Sequence, residues 1–461
     1  MNDDKNCKMK KNLFLSIMFL ASAFAFAQEA AEKSSEKPLS DAKSYSLSVE
    51  DAVELAKKNN VSIARSQITL DAALRTKSHS WNSVSPSLSV GAASSVPLDS
   101  LTGGDQESDY SASFGISATA SVSLSANLYT QIQSAKLAYD QQKITFDDAV
   151  RQIELSVRQS YYGLIYEKEN IKLQEENLRI AKNQYESNLA KYNAGRLSEV
   201  DALSAEVNYK SKIPTVESSR TTFQNDMDSF KQVLGLMLDD KVSLTGSLDD
   251  YLYLENITVD VKDIKSAELD ILQAKLDAAK NNVLDKRFSA FSPSLNASLS
   301  WRDSSWYAGY NGDDKPDATK SAAVTLSATI PLDGVLPWSA RNDAVDSAKD
   351  SVKDYELQFD DALKNVKRSV DASTRSIKQS QAAIRYKQSN VDLAQKTYDM
   401  TSEAYNRGTK DLLTLQNANS TLLEAKVSLN SEILTLARDI MSLEYTIGAD
   451  FGSLTGGEVK N

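Results

Sequence analysis

Cysteine and histidine are almost absent from this sequence of 461 residues, which has one of each, Cys7 and His79. One cysteine cannot form a disulfide within the chain, and one histidine leaves no cluster of the ligands that zinc sites require. The glycines form no phosphate-binding loop motif. The sequence therefore predicts neither an enzyme nor a cofactor, and His79, beside Trp81 at a predicted helix end, is interpreted as a packing or interface residue.

Positive charge is in deficit, since 52 lysine and arginine residues stand against 63 aspartate and glutamate residues, for a net charge of −11. Proteins that bind nucleic acid neutralise its phosphates with basic patches. Nucleic acid is therefore not expected to be a partner of this acidic chain.

Long apolar runs are missing except near the start, where residues 13–21 are apolar and follow a lysine-rich segment. This run is shorter than the roughly 20 residues of a membrane-spanning helix. Ala25 and Ala27 offer a small-x-small cleavage site. We therefore interpret residues 1–27 as a secretory signal peptide and the polar residues 28–45 as a flexible leader.

Glycine and proline are rare along the first long helical run. Between residues 116 and 234 the only glycines are Gly163 and Gly195, and the only proline is Pro214. A helix-favouring run stops at Gly195 and then resumes, which predicts a helical hairpin with its turn there. A second break of the same kind comes at Gly408, and we call the separation between Gly195 and Gly408 the repeat offset. The chain is therefore predicted to contain a duplication.

The repeat offset also aligns two apolar heptad stripes between the hairpins. The first stripe pairs Leu164, Ile171, Leu178, Tyr185 and Tyr192 with Ile377, Ile384, Val391, Tyr398 and Tyr405, and the second pairs Leu173 and Ile180 with Tyr386 and Leu393. Ile171 and Leu173 are two positions apart in the sequence, which separates them by about 200° around the helix. The two stripes therefore lie on opposite flanks. This pattern is typical of a stave with a neighbour on each side. The alternative is an ordinary antiparallel coiled coil that is buried on one side only.

Each half of the duplication is predicted to run helix, strand, strand, long helix, turn, helix, which makes the chain an α+β membrane protein. The first repeat covers residues 46–236 and the second residues 264–449, with an insert at 237–263 and a tail at 450–461. The predicted helices are 48–80, 130–192, 198–233, 339–406 and 410–445, and the predicted strands are 85–96, 110–128, 294–302 and 322–330. The long helices should reach about 90–100 Å at 1.5 Å per residue.

Apolar and small polar residues alternate along these strands, which predicts a sheet with one dry and one wet face. In an outer-membrane barrel the dry face meets lipid and aromatic residues mark the interfaces, so we assign Trp301, Trp306 and Trp338 to the membrane interface. Four strands are too few to close a barrel, for which about eight are the minimum. The barrel is therefore predicted to be shared between chains. The alternative is a soluble sandwich with its dry face turned inward.

The duplicated order of elements, both glycine turns, and the "SPSL" segments at Ser85 and Ser292 resemble the TolC-like outer-membrane efflux proteins over residues 47–449. The resemblance implies a homotrimer with four strands per chain in one outer-membrane β-barrel, continued by a long α-helical barrel in the periplasm. It also implies the exit duct of a tripartite efflux or type I secretion system. The implied partners are a periplasmic adaptor protein, an inner-membrane transporter and outer-membrane lipid. The alternative is a trimeric surface stalk or adhesin with a structural role.

In that family the hairpin turns are periplasmic tips that close the tunnel and meet the adaptor. By position, the resemblance assigns to the tips and the gate Tyr192, Gly195, Asp201, Tyr405, Gly408 and Lys410. Asp201 and Tyr405 match a carboxylate–tyrosine link that holds the tips shut, and Lys410 stands where the family has an arginine. Two aspartates that often ring the entrance are replaced by Thr414 and Asn417, so an acidic ring would need Glu199, Asp201 or Asp411. The alternative for every tip residue is plain helix packing and capping.

Overall fold

The structure is a computed structural model that describes residues 44–95, 112–248, 251, 264–308 and 319–455. The predicted signal peptide lies outside these ranges, as do nearly all of the predicted leader and much of the predicted insert. Contacts divide the chain into a large unit, Ser46–Leu238 with Val242–Asn461, and a small unit, Met1–Tyr45 with Asp239–Lys241. None of the helices in the described ranges is both long enough and apolar enough to cross a membrane.

The described elements follow the predicted order twice. The first repeat has α1 (Val49–Asn59), α2 (Val61–Ser78), β2 (Ser87–Ser95), β3 (Ala112–Ser125), α3 (Asn127–Asn193) and α4 (Glu199–Leu234). The second has α5 (Ala267–Phe291), β5 (Ser294–Ala308), β6 (Thr319–Thr329), α6 (Ala340–Asn406) and α7 (Leu412–Ile447). Two short strands, β1 (Ser44–Leu47) and β4 (Lys241–Leu244), form a separate two-stranded sheet.

The two long hairpins match residue by residue. Helices α3 and α6 have 67 residues each, and α4 and α7 have 36 residues each. All four helix boundaries of one hairpin are displaced from those of the other by the repeat offset. The duplication predicted from the sequence is confirmed.

One predicted helix, over residues 48–80, is wrong, because the chain breaks it at Asn60. The Asn60 backbone is extended, and its side-chain oxygen accepts the next two free amide hydrogens, from Ser62 and Ile63. Asparagine is a strong helix N-cap, so it starts α2 where the sequence pattern alone predicted continuation. The predicted start at Ser48 is confirmed, since its hydroxyl forms a capping box with Asp51.

The larger sheet has the strand order β2-β3-β5-β6, with every neighbouring pair antiparallel. One face carries an apolar row that is level across the four strands: Leu88, Ala120, Leu299 and Val324. The opposite face carries a small polar row: Ser87, Ser121, Ser298 and Thr325. The predicted dry and wet faces are therefore confirmed, and the dry face is open in the single chain, where Leu88 is 80% and Val324 is 73% exposed.

The helices form two layers whose orders agree with that of the sheet. Near the sheet, α2 packs on α3, α3 on α5, and α5 on α6. Towards the turns, α4 packs on α3, α3 on α7, and α7 on α6. Each layer therefore ends with an element of the first repeat on one side (β2, α2 or α4) and an element of the second repeat on the other (β6 or α6).

The end of α7 is fastened to α3 by the residues that follow it. Glu444 is 1% exposed, and its carboxylate accepts the amide hydrogens of Gly452 and Leu454 at 2.9 and 3.0 Å. Arg151 on α3 donates to the carbonyl oxygen of Ala449 at 2.7 Å. Burial raises the pKa of Glu444, and the two amide hydrogens oppose that rise. The first residues of the predicted tail are therefore part of the packed structure.

Candidate functional site: the hairpin turns and the open edges

The two hairpin turns share one backbone geometry. Gly195 and Gly408 have φ angles of 68° and 75°, in the left-handed region that favours glycine. In both turns the amide after the glycine donates to the carbonyl oxygen five residues earlier, at 2.9 Å, as in a Schellman motif. An added Cβ would meet nothing within 4 Å at either site, so glycine is required for its backbone and not for space.

The returning helices begin with different caps. The Ser198 hydroxyl accepts the amide hydrogen of Asp201 at 3.1 Å, and the Asp411 carboxylate accepts that of Thr414 at 2.7 Å. The Asp201 carboxylate in turn accepts the Ser198 hydroxyl at 2.6 Å. Hydrogen bonds from the Thr414 hydroxyl and amide lower the pKa of Asp411. Of the three acids considered for an entrance ring, Asp411 therefore caps α7, Asp201 accepts the hydroxyl of the cap Ser198, and Glu199 is exposed.

Tyr405 ties the two hairpins together near the turns. Its hydroxyl donates to Asn188 Oδ1 at 2.8 Å, and Gln184 donates to the same oxygen at 3.1 Å. Asn188 has no exposed surface, and the Lys191 ammonium lies 5.2 Å from the centre of the Tyr405 ring. Within one chain, therefore, the Tyr405 hydroxyl is bound to Asn188 and not to Asp201, to which the resemblance assigned it.

Two further tip residues are exposed at the turns in the single chain. Tyr192 is 39% exposed, and Lys410 is exposed two residues after the second glycine. Asn417 is also exposed and offers its carbonyl oxygen to the Thr421 hydroxyl at 2.9 Å. Nowhere in the described residues do three carboxylate, histidine or thiol side chains converge into a metal site.

Buried amides mark the contact between α3 and α7, which we call the intrachain seam. Asn177 is 8% exposed, and its Oδ1 accepts a hydrogen bond from Asn419 at 2.6 Å. Asn188 Nδ2 and Gln416 Nε2 are buried there without a partner among the described residues. A buried asparagine in a helical seam fixes register at a cost in stability. The sequence reasoning missed these residues, although Asn177 lies one turn beyond Leu173 on the same stripe.

A mid-helix glycine explains a second polar cluster. A Cβ on Gly163 would lie 3.1 Å from Arg438 Nη2, so the glycine allows that guanidinium to lie against α3. One turn further along α3, the pKa of Glu167 is raised to about 7 by burial and by the neighbouring Asp226, while Arg438 opposes the rise. The first hairpin therefore contains a partly buried carboxyl group, Glu167, beside a second acid, Asp226.

The predicted interface tryptophans occupy different levels of the sheet. Trp338 is 81% exposed and directly precedes Ser339, which caps α6. Trp301 is 42% exposed but lies in the middle of β5, because that strand extends to Ala308 and not to residue 302 as predicted. Trp306 is described by its backbone alone, which pairs with Phe114.

Trp301 nevertheless stands at the boundary of an apolar band. From Leu295 to Trp301 the open face of β5 is apolar, which spans about 20 Å at roughly 3.3 Å per residue. Charged residues follow at once, and Asp303 lies 3.6 Å from the Lys320 ammonium on β6. The strand thus continues beyond the apolar band to Ala308, with two charged residues, Arg302 and Asp303, directly after Trp301.

Comparison with known proteins gives consistent results. The family model described as outer membrane efflux protein matches residues 52–235 and 264–444. No curated protein sequence is significantly similar to the chain.

Solved structures that share its fold include the following three channels. The outer membrane channel CmeC of Campylobacter jejuni has 17% identity and a TM-score of 0.68, covering 87% of this chain and 85% of that one. CusC has 15% identity and a TM-score of 0.71, covering 87% and 92%. The open state of the MtrE outer membrane channel of Neisseria gonorrhoeae has 17% identity and a TM-score of 0.63, covering 87% and 89%.

Proposed function

Because the chain belongs to the family of outer membrane efflux proteins, we propose that three copies assemble into a channel-tunnel of the outer membrane. In this proposal the tunnel is the exit duct of a tripartite efflux or type I secretion system. The similarity in fold to CmeC and MtrE, both described as outer membrane channels, supports a conducting role over that of a surface stalk.

The observation that carries the proposal is that every layer of the chain ends in two open edges, one from each repeat. Edge strands present unpaired backbone groups that pair readily with another strand. The first-repeat edge of one copy can therefore join the second-repeat edge of the next, and such head-to-tail contacts close into a ring. Three copies with four strands each bring twelve strands to one barrel.

The two faces of the sheet support a membrane location for this ring. The apolar face is open along β2, β5 and β6, as a lipid-facing surface requires. The small polar face then lines water, and the band that ends at Trp301 approaches the roughly 25 Å height of the apolar belt in outer-membrane barrels. Trp338, at the helical end of the sheet, then marks the opposite interface.

The hairpin turns are the proposed gate and the contact for an adaptor, with the helical barrel in the periplasm. Tyr405 carries the gating argument, because its hydroxyl bond to Asn188 joins the turns of the two hairpins in one chain. A neutral hydrogen bond of this kind stabilises by about 0.5–1.5 kcal/mol, and three copies supply three such bonds. Exposed Lys410 and Tyr192 are available to a neighbouring copy or an adaptor.

The purified protein tests this proposal in two measurements. Native mass in detergent is expected to show a trimer, and planar bilayers containing it are expected to show discrete conductance steps. A trimer that never conducts would support a structural stalk. A monomer that forms a complete pore by itself would contradict the shared barrel.

A further inference from the structure

The second apolar stripe of the hairpins is covered in one repeat and open in the other. On α3, Leu173 and Ile180 are partly buried. Their equivalents on α6, Tyr386 and Leu393, are 79% and 65% exposed. Since the helices are superimposable in length and boundaries, the difference comes from the neighbour: α7 covers α3 within the chain, and nothing in the described chain covers this side of α6.

The helix at the opposite edge shows the complementary exposure. Leu203 on α4 is 52% exposed, whereas its equivalent on α7, Gln416, is partly buried in the intrachain seam. The buried position thus carries an amide and the open position carries a leucine. This reverses the usual assignment of polar and apolar residues for a single chain, and it indicates that Leu203 is covered by something else.

The register of the intrachain seam shows what can cover it. Asn177 and Asn419 lie level, because their side chains are hydrogen-bonded at 2.6 Å. Helices α3 and α7 run in opposite directions, so Ile180 and Gln416, each three residues nearer to the turns, are also level. In the other repeat, the α3 residues of these pairs correspond to Asn390 and Leu393 on α6, and the α7 residues correspond to Glu206 and Leu203 on α4. The equivalent pairs are therefore Asn390 with Glu206 and Leu393 with Leu203.

We infer that α6 of one copy packs against α4 of the next in the same register as α3 packs against α7 within a chain. This inference rests on the proposed trimer and adds its subunit seam. Leu393 meets Leu203 of the neighbouring copy, and the Asn390 amide donates to the Glu206 carboxylate of that copy. Glu206 is already oriented by Lys210, whose ammonium lies 2.6 Å away.

The tip offers a second pair by the same displacement. The Tyr405–Asn188 hydrogen bond of the chain becomes Tyr192 of the next copy with Thr401. Tyr192 makes no side-chain hydrogen bond within the described part of its own chain, and it is 39% exposed. The subunit seam therefore keeps one amide, Asn390, and has a carboxylate, a leucine and a threonine hydroxyl where the intrachain seam has Asn419, Gln416 and Asn188.

Paired cysteines test the register, in a chain with Cys7→Ser. Leu393→Cys with Leu203→Cys is expected to give covalent dimers and trimers after oxidation. The matched pair Ile180→Cys with Gln416→Cys is expected to link within one chain and to leave the mass on a denaturing gel at that of a monomer. As a register control, Leu393→Cys with Glu217→Cys places the second cysteine about 21 Å further along α4, and cross-linking is expected to fall at least tenfold.

The native mass of the protein before oxidation distinguishes a wrong register from the absence of a trimer. If that mass is trimeric but the Leu393→Cys/Leu203→Cys pair gives only monomers, or links no better than the Glu217→Cys control, the register is wrong while the trimer stands. If the protein is not trimeric at all, the proposed function fails and the seam fails with it.

Discussion

The two hairpins of this protein have the same lengths and turns but different surroundings. Helix α7 lies between α3 and α6, and residues on both its flanks are buried, among them Met441 and Leu443. Helix α4 contacts α3 and α1 and carries exposed Val200, Leu203 and Val207. Equal backbones with unequal burial show that a duplicated unit was fitted to two different roles, one inside the chain and one at its edge.

The comparison also separates what fixes the backbone from what fixes the neighbours. Glycine with positive φ ends the first helix of both hairpins in the same way. The side chains that hold the hairpins together, such as Asn177 and Asn188, are not repeated in this role, since their equivalents are Asn390, which is exposed, and Thr401. Turns can therefore be copied unchanged, while each seam needs its own chemistry.

The largest effect is expected from a substitution that disrupts the subunit seam. Leu393→Glu should lower the affinity between copies by about two orders of magnitude or more, because burying an unpaired carboxylate costs several kcal/mol. The helical content of the chain should persist, which circular dichroism and native mass can show together. Arg385→Glu, an exposed position on the same helix away from both stripes, is the control and should leave the trimer intact.

The equivalent substitution in the intrachain seam should affect the stability of the single chain. Ile180→Glu places the carboxylate between α3 and α7, so it should lower the melting temperature of the chain itself. If Leu393→Glu and Ile180→Glu gave the same loss of folding and of assembly, the distinction between the two seams would be lost.

The next largest effect concerns the tyrosines at the turns. Tyr405→Phe removes the hydroxyl that reaches Asn188 while keeping the ring, and should raise the open probability of single channels several-fold, consistent with a bond of about 1 kcal/mol. Tyr192→Phe is the matched change in the other hairpin: it loses no hydrogen bond within the described part of its own chain, and it removes only the hydroxyl that we infer to meet Thr401 of another copy. Unchanged gating in Tyr405→Phe, with a loss of function in Tyr405→Ala, would show that the ring only packs.

Asp201→Asn provides a further comparison at the same turn. Its carboxylate accepts the Ser198 hydroxyl, so the substitution should weaken the start of α4 and raise the open probability less than Tyr405→Phe does. A larger effect for Asp201→Asn would instead support the link between Asp201 and Tyr405 that the resemblance implied.

A smaller effect should appear as pH rises. Because the pKa of Glu167 is raised to about 7 from an ordinary 4.5, its contribution to stability is fully present below pH 4.5 and is lost as pH rises through 7. The second hairpin has Ser380 in place of Glu167 and should not respond. Hydrogen exchange is therefore expected to speed up in α3 and α4 relative to α6 and α7 between pH 5 and about 8, and Glu167→Gln should remove the difference.

The smallest effect concerns the caps. The pKa of Asp411 is lowered, so its support of α7 is present above its ordinary value of 3.8 and is lost as pH falls through the lowered value. Ser198 does not titrate, so the hydroxyl that caps α4 remains an acceptor for the Asp201 amide in acid. Asp411→Asn keeps a good cap and should abolish the acid-induced fraying of α7, measured as amide exchange relative to α4. Fraying that persists in Asp411→Asn would have another cause.

The sequence predicted the backbone far better than the contacts. Strict alternation marked the faces of the sheet, and Gly195 and Gly408 marked both turns, because these features follow from local geometry. The break at Asn60 was missed because an N-cap in a polar stretch is a weak signal. Asn188 could not be identified as the partner of Tyr405, since which hairpins become neighbours depends on packing between residues far apart in the sequence.

The matched lengths of the two hairpins fix how far both turns lie from the sheet. A seven-residue insertion at the same height in all four long helices keeps each stripe in phase and moves the turns about 10.5 Å further from the sheet. An insertion in one hairpin alone would leave its turn beyond the other and separate Tyr405 from Asn188. The distance from the sheet to the turns can therefore change only if both repeats change by the same number of residues. Each repeat sets this distance independently, so a partner that contacts both turns requires the two lengths to agree.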